Sequence, residues 1–471
     1  MKTNKIRYIP ILLLIATLTA CKVSQDVATP KDAIPVSFRN AASNDTTSVA
    51  DLEWKKFFTE TALVQLIDSA VARNNDLQVA QKNIEAAQWQ LKQTKWNNVP
   101  QLNLQVSAAS NRPSENSLNG VSSNNILGQN HIEDYNASLG LSWEADIWGK
   151  MRSMKQNALA QYQQSGEAKK ALQTLIVANV AKGYYNLLML DAQLNIAKKN
   201  LTLNDSTIFV INLQYESGQV TSLAKQQAEA QQLVAAQLIP QLEQNIAIQE
   251  NALSILAGTF PSAKQRGASI DAIQTQDNLS AGIPSSLLSR RPDVRSAELE
   301  LKAANAKVGI ADANRYPALN ITAAGGLNSF ESSNWFSTPA SLFGTIAGSI
   351  TQPIFNNKRL KAQYEIAKIN REKAVIQFRQ SVLVAAGEVA NALVRMDKLK
   401  AQYTAADNRA TVLLRAVKNS DMLFKNGMAG YLEVIIAQSN LLQSQIELAN
   451  LKKSRLEAEV ELYRSLGGGW K

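Results

Sequence analysis

Two periods of hydrophobic spacing alternate along this chain. Leu102, Leu104, Val106 and Ala108 alternate with Asn103, Gln105 and Ser107, and Ala137, Leu139, Leu141 and Trp143 alternate with Asn136, Ser138, Gly140 and Ser142. The pattern returns with Leu319, Ile321 and Ala323 against Asn320, Thr322 and Ala324, and with Leu342, Ile346 and Ile350 in a fourth segment. A period of two predicts strands with one apolar and one small polar face, each near the roughly 10 residues of a membrane-crossing strand. Between the strands of each pair lie an Asn-, Ser- and Gly-rich loop, 111–132, and a shorter one, 329–340.

Elsewhere the period is helical. Ile176, Val180, Gly183, Leu187, Leu190, Leu194, Ala197, Leu201, Asn204, Ile208 and Ile211 recur at spacings of four and three, a heptad stripe that predicts coiled-coil packing. The stretch carrying it, about 151 to 215, would be roughly 100 Å long if unbroken. Gly218 and Gly427 predict the ends of two such helices, and a returning helix follows each, so two antiparallel helical hairpins are expected. A further helix precedes each strand pair, about 61–96 and 292–314. Pro100 and Pro317 stop them, because proline lacks the next helical donor and disfavours helix in the residue before it.

The chain is written twice. Asp76, Ala80, Ala86-Ala87, Pro100 and Leu102-Asn103-Leu104 match Asp293, Ala297, Ala303-Ala304, Pro317 and Leu319-Asn320-Ile321, always 217 positions later. Ile147-Trp148 and Arg152 match Ile354-Phe355 and Arg359 at 207, which puts a loss of ten residues in the loop of the second copy. Tyr215-Glu216-Ser217-Gly218 matches Phe424-Lys425-Asn426-Gly427 at 209. Insertions confined to turns are what loops tolerate and packed elements do not. The expected organisation is a first repeat over 51–260, a linker over 261–290 and a second repeat over 291–471.

Composition and charge narrow the setting. Of 471 residues, 45% are hydrophobic but only 6% aromatic, a balance that favours long helices over aromatic-filled globules. At the N-terminus Lys2, Lys5 and Arg7 precede an apolar run, Ile9 to Ala20, too short to cross a bilayer as a helix, so 1–20 is expected to be a signal peptide. Leu18-Thr19-Ala20-Cys21 resembles the lipobox of bacterial lipoproteins, which implies cleavage before Cys21 and acylation of its thiol and amino terminus. Cys21 is the only cysteine, so an intramolecular disulfide is excluded. The polar stretch 21–50 then reads as a lipid-anchored arm. An exported protein meets little nucleic acid, and its net charge of +10 is interspersed with acidic residues along helices, as on solvated faces. Nucleic acid is therefore not an expected partner.

No other apolar run is long enough for a transmembrane helix, so a membrane span must be built of strands. Four strands cannot close a membrane barrel, whose smallest common form has about eight. A soluble sandwich is disfavoured by so few strands with such small, uncharged polar faces. The chain is expected to oligomerise, each copy giving four strands to a shared barrel, with the helical hairpins forming a tube in line with it. A non-conducting coiled-coil scaffold is the structural alternative, and the strands argue against it. Catalysis finds no support: His131 is the only histidine and stands in a loop, and nucleophile elbow and phosphate-binding loop are both missing. Glu144 and Asp146 suggest paired carboxylates, but strand alternation places both on the small polar face.

Several longer motifs give this architecture a family. Ile283-Pro284-Ser285-Ser286-Leu287-Leu288-Ser289-Arg290-Arg291-Pro292-Asp293 lies between the repeats, and Trp143-Glu144-Ala145-Asp146-Ile147-Trp148-Gly149-Lys150 leads from strand to long helix. With Trp54-Lys55-Lys56-Phe57-Phe58 and Leu466-Gly467-Gly468-Gly469-Trp470 near the ends, the chain resembles the TolC-like outer-membrane efflux proteins, in their lipoprotein branch. The resemblance implies a mainly α fold with membrane β-hairpins, assembling as a homotrimer with a 12-stranded barrel continuous with a periplasmic α-helical barrel. It implies docking to a periplasmic adaptor and, through it, to an inner-membrane pump, often of the resistance-nodulation-division type. It calls for no cofactor beyond the lipid on Cys21, and places the protein in the outer membrane of a Gram-negative cell.

By the same resemblance, the glycine turns are the adaptor-facing tips: Gly218, Gln219, Val220, Thr221 and Ser222 in one, Gly427, Met428, Ala429 and Gly430 in the other. Turning a helix around requires such glycines in any case. Glu433, just beyond the second tip, stands where similar proteins often carry an acidic residue lining the closed periplasmic aperture. A carboxylate favoured by a helix N-terminus explains it equally well. Some members carry a second acidic residue three positions on, where this chain has Ile436.

Overall fold

A computed structural model describes residues 26, 28, 37–39, 48–276 and 279–471. The expected signal peptide, Cys21 and most of the arm lie outside the described residues. Among the described residues the fold is mainly helical with one sheet. In chain order it runs α1 (Thr61–Arg73), α2 (Asn75–Trp96), β1 (Gln101–Asn111), α3 (Leu118–Leu127), β2 (Ile132–Ala145), α4 (Lys150–Glu216) and α5 (Ser222–Leu256). Then follow α6 (Pro292–Ala313), β3 (Ala318–Ser329), β4 (Leu342–Thr351), α7 (Arg359–Lys425) and α8 (Tyr431–Ser465). The chain forms two compact units. One holds Glu85–Gln163 with Leu299–Ile376, and the other holds Gln164–Glu298 with Gln377–Lys471 and the residues leading up to Ile84.

The first unit contains the sheet, antiparallel in the order β1-β2-β3-β4. Leu102 faces Leu141, Leu141 faces Ala323 and Ala323 faces Ile346 across the three ladders. Leu319 faces Ile350, and Trp143 faces Ile321. Residues directly opposite share a face, so the period-two pattern of each strand is in phase with the next. One side is apolar from β1 to β4, and the other carries Asn103, Gln105, Ser138, Ser142, Asn320 and Thr322. Phe343 is the large apolar residue on the polar side, where it lies opposite Gly326, and Asp134 and Glu144 put charge near the two ends of β2 on that side.

In the second unit one large core joins Leu63, Ile67, Tyr184, Leu188, Ile270, Leu456 and Tyr463, with Phe57 stacked on Tyr463 at 4.2 Å. The heptad stripe of α4 is buried at Ile176, Val180, Leu187, Ala197, Asn204 and Ile211. Between Ile176 and Leu190 the burial spreads beyond the stripe, to Val177, Ala181, Tyr184, Tyr185 and Leu188. A helix enclosed by several neighbours loses its polar face.

Several sequence-based expectations are corrected. The first helix is two, because Asn74 adopts a non-helical backbone and its Oδ1 accepts from the N–H groups of Asp76 and Leu77. That N-cap starts a new helix inside an unbroken hydrophobic pattern. The loop 111–132 contains a helix, α3, capped by Ser117 on the Gly120 N–H. The copies also differ by eight residues in one place, not by ten and then two. Helices α4 and α7 both have 67 residues and begin at Lys150 and Arg359, 209 positions apart. The left-handed backbone of Gly149 recurs at Lys358, at the same offset. The partners of Ile147-Trp148 are therefore Asn356-Asn357 rather than Ile354-Phe355, and that of Arg152 is Lys361 rather than Arg359.

Contacts repeat as well as elements. Asn74 donates from Nδ2 to the Leu256 carbonyl at 3.0 Å, and Arg291 donates from Nη1 to the Ser465 carbonyl at 3.0 Å. A Cβ on Gly258 would meet the Arg73 carbonyl at 2.3 Å, and one on Gly467 would meet that of Arg290 at 2.7 Å. Both glycines have positive φ and close the returning helix onto the start of its repeat.

Candidate functional site: tips and sheet edges

The two tip turns are built alike. In the first, the Gly218 N–H donates to Tyr215 and the Gln219 N–H to Gln214; in the second, Gly427 donates to Phe424 and Met428 to Leu423. This is the Schellman motif, and it needs the left-handed residue that Gly218 (φ 74°) and Gly427 (φ 72°) supply. The turns come together. Ile211, Ala224 and Ala228 of the first hairpin share one apolar cluster with Phe424 and Val434 of the second. The Tyr431 hydroxyl donates to Gln227 at 2.8 Å, and the buried Gln438 donates from Nε2 to Thr207 at 2.8 Å.

Beyond this cluster the predicted tip residues face outward. Gly218, Gln219, Thr221, Ser222, Gly427, Met428 and Gly430 are exposed, and Val220 and Ala429 are half-buried. Leu213, Leu223, Met422 and Leu432 add exposed apolar surface beside them. Exposed apolar side chains around a pair of turns suit a protein partner. Glu433 is exposed in the first turn of α8. Its carboxylate folds back to within 2.9 Å of where a Cβ on Gly430, the N-cap, would stand. That geometry matches a carboxylate favoured by the N-terminal dipole.

At the other candidate region the carboxylates expected to share a face are separated. Glu144 stays in β2 and pairs with Lys150 at 3.0 Å. Asp146 lies past the strand end and accepts from the N–H groups of Met151 and Arg152, capping α4. Neither is free for acid–base work. Among the described residues, no group of His, Cys, Asp or Glu could hold a metal ion.

The sheet itself is unfinished. Among the described residues β1 and β4 each have one neighbour, so their outer edges carry unpaired backbone donors and acceptors. On the apolar side Ile346 is 83% exposed and Leu104 is 71% exposed. An open sheet with a bare apolar face is incompatible with water, and in lipid its edges must be paired.

Residues 66–259 and 283–468 match the family model described as outer membrane efflux protein. The chain belongs to that family. Among its relatives, the cation efflux system protein CusC of Escherichia coli O6:H1 is 30% identical over 96% of each chain. The probable outer membrane lipoprotein SilC of Salmonella typhimurium is 30% identical over 94% of each. Among solved structures, the open-state MtrE outer membrane channel of Neisseria gonorrhoeae superposes with a TM-score of 0.85 at 27% identity, covering 96% of this chain and 99% of that one. The efflux protein described here is an outer-membrane channel of an efflux system, and its relatives are transport proteins.

The signature between the repeats of this efflux protein gains a physical content that sequence reasoning missed. Arg290 pairs with Asp51 at 2.7 Å, and its carbonyl, against which Gly467 packs, accepts from Trp470 Nε1 at 3.3 Å. Arg291, 4% exposed, bridges Asp293 at 2.6 Å and Glu388 at 2.7 Å as well as the Ser465 carbonyl. Pro292 opens α6, where its missing N–H costs nothing. The available signal was the alignment of Arg291 with Asn74 at 217.

Proposed function

We propose that three copies of this chain form one passive exit duct. Their sheets close into a 12-stranded barrel in the outer membrane, and their hairpins line a periplasmic tube. Cys21 carries the lipid that anchors each copy. The tips at Gly218–Ser222 and Gly427–Gly430 dock to a periplasmic adaptor, which couples the duct to an inner-membrane pump of the resistance-nodulation-division type. Three copies of Glu433 would ring the aperture with negative charge.

The observation that carries this reading is the four-stranded sheet with in-phase apolar face and two unpaired edges. The side opposite the apolar face offers Asn, Gln, Ser and Thr along its middle, with Asp134 and Glu144 near the two ends of β2, a polar lining suited to a water-filled lumen. The test is the mass of the detergent-purified protein together with its conductance in planar bilayers. Trimer mass with ion conduction is expected; a monomer that never conducts would overturn the reading. A Ser222→Cys crosslink is expected to capture the adaptor, and Glu433→Ala to relieve cation block and raise closed-state leakage. Unchanged block would remove Glu433 from the aperture.

A further inference from the structure

The internal duplication supplies a template for an interface that the single chain does not contain. β1 corresponds to β3 at an offset of 217 and β2 to β4 at 209, by the helices and turns that flank them. The correspondence is checked inside the chain. Carrying the pair Leu102–Leu141 forward by these offsets gives Leu319–Ile350, the observed pair. The hydrogen bond from Trp143 Nε1 to the Asn98 carbonyl, 3.1 Å, carries forward to one from Gln352 Nε2 to the Arg315 carbonyl, observed at 3.0 Å.

The junction between repeats, β2 against β3, occurs once in the chain. Its image falls on the two free edges. Leu141–Ala323 becomes Ile350–Val106, Gly140–Ala324 becomes Ser349–Ser107, and Ala145–Leu319 becomes Ile354–Leu102. We propose that a second copy of this chain adds its β1 to β4 in this register, with Ser349 opposite the partner's Ser107 and Ile350 opposite the partner's Val106. The proposal rests on the trimeric reading above and specifies its seam.

Three features of the edges fit. The register sets apolar against apolar and small polar against small polar, whereas a slip of one residue would invert every side chain. It covers Ile354, 91% exposed in the single chain, with the partner's Leu102. It also images the bond from Trp148 Nε1 to the Pro317 carbonyl, 2.7 Å, onto Asn357 and the partner's Pro100. Asn357 is exposed and holds a left-handed backbone, φ 55°, which asparagine tolerates better than most residues.

Slips of two residues keep the faces and are the rivals to exclude. Directly opposed residues stand about 4.5–5.5 Å apart, within disulfide reach, and a two-residue slip moves them by about 7 Å. The experiment compares three double variants of the full-length protein, each pairing Ser107→Cys with Ser349→Cys, Ala347→Cys or Thr351→Cys. After mild oxidation, Ser107→Cys with Ser349→Cys is expected to give covalent dimers and trimers at least several-fold above the other two. A higher yield at 347 or 351 in protein of trimer mass overturns the register and leaves the trimer standing; loss of the trimer in the wild type would sink the quaternary reading instead. Should the variants not assemble, methyl-labelled wild-type trimer decides the question by NMR. An Ile350–Val106 contact is expected, and Ile350–Leu104 in its place refutes the register.

Discussion

At the scale of single residues, the second repeat is held by charge where the first is held by an amide. Arg291 sits almost fully buried between Asp293, Glu388 and the Ser465 carbonyl, whereas Asn74 does the equivalent work with one side-chain donor and one acceptor. Removing one partner of a buried ion pair leaves the other uncompensated. Arg291→Ala is expected to cost on the order of 3 kcal/mol, the low end for such pairs because Asp293 and Glu388 still reach water. Denaturant unfolding measures it, and Arg291→Lys should recover only part, lacking the planar fork. Glu461 adds a pH dependence. Burial pushes its carboxyl up, but Arg464 and Lys182, both hydrogen-bonded to it, outweigh burial and hold it down to about 2. A depressed carboxylate stabilises the fold above its unfolded value of 4.5, and that contribution fades as pH falls toward 2. Melting temperatures between pH 5 and pH 2 should therefore decline less steeply in Glu461→Gln than in the wild type.

At the scale of elements, the contact between the hairpins is apolar at the tip and polar just above it. Gln438 and Asn204 are each at most 2% exposed, and each leaves its amide oxygen without a partner among the described residues. Such a layer lowers stability while fixing the register between helices. Gln438→Leu is expected to raise the unfolding midpoint, because Thr207 keeps its bond to the Leu203 carbonyl, and to reduce efflux if the hairpins must shift to open. A lower midpoint would show that the amide holds the helices together. The heptad stripe was legible in sequence because coiled-coil spacing survives over many turns, and strand alternation was legible because four segments repeat it. The break at Asn74 was not, since Ala70 and Leu77 keep the apolar pattern across it and the cap acts through a single side chain. Helix α3 was hidden for the opposite reason: Leu118 and Ile126 are exposed, so it has no apolar stripe to betray it. Of the candidate site, the glycine turns were legible from the residue type a left-handed backbone requires. Their mutual packing was not, because it joins residues more than 200 positions apart.

At the scale of the whole molecule, the two sides of the sheet should answer differently to the same substitution. Ile346→Arg puts a charge on the apolar side, where it costs about 2–4 kcal/mol in each copy near the bilayer midplane. The fraction of protein recovered as membrane-inserted trimer should drop sharply. Ser138→Arg lies on the polar side and should leave the trimer intact while altering its conductance; loss of assembly in Ser138→Arg but not in Ile346→Arg would mean the faces are assigned the wrong way round. Fusing two half-units in one gene has a further result. Were six identical halves to build the wall, every substitution would appear six times, and no position could change without changing all around the ring. In the fused chain an inherited change touches alternate positions only, so Asn74 and Arg291 could diverge, one neutral and one ionic, while the unaltered half kept each generation of the duct working.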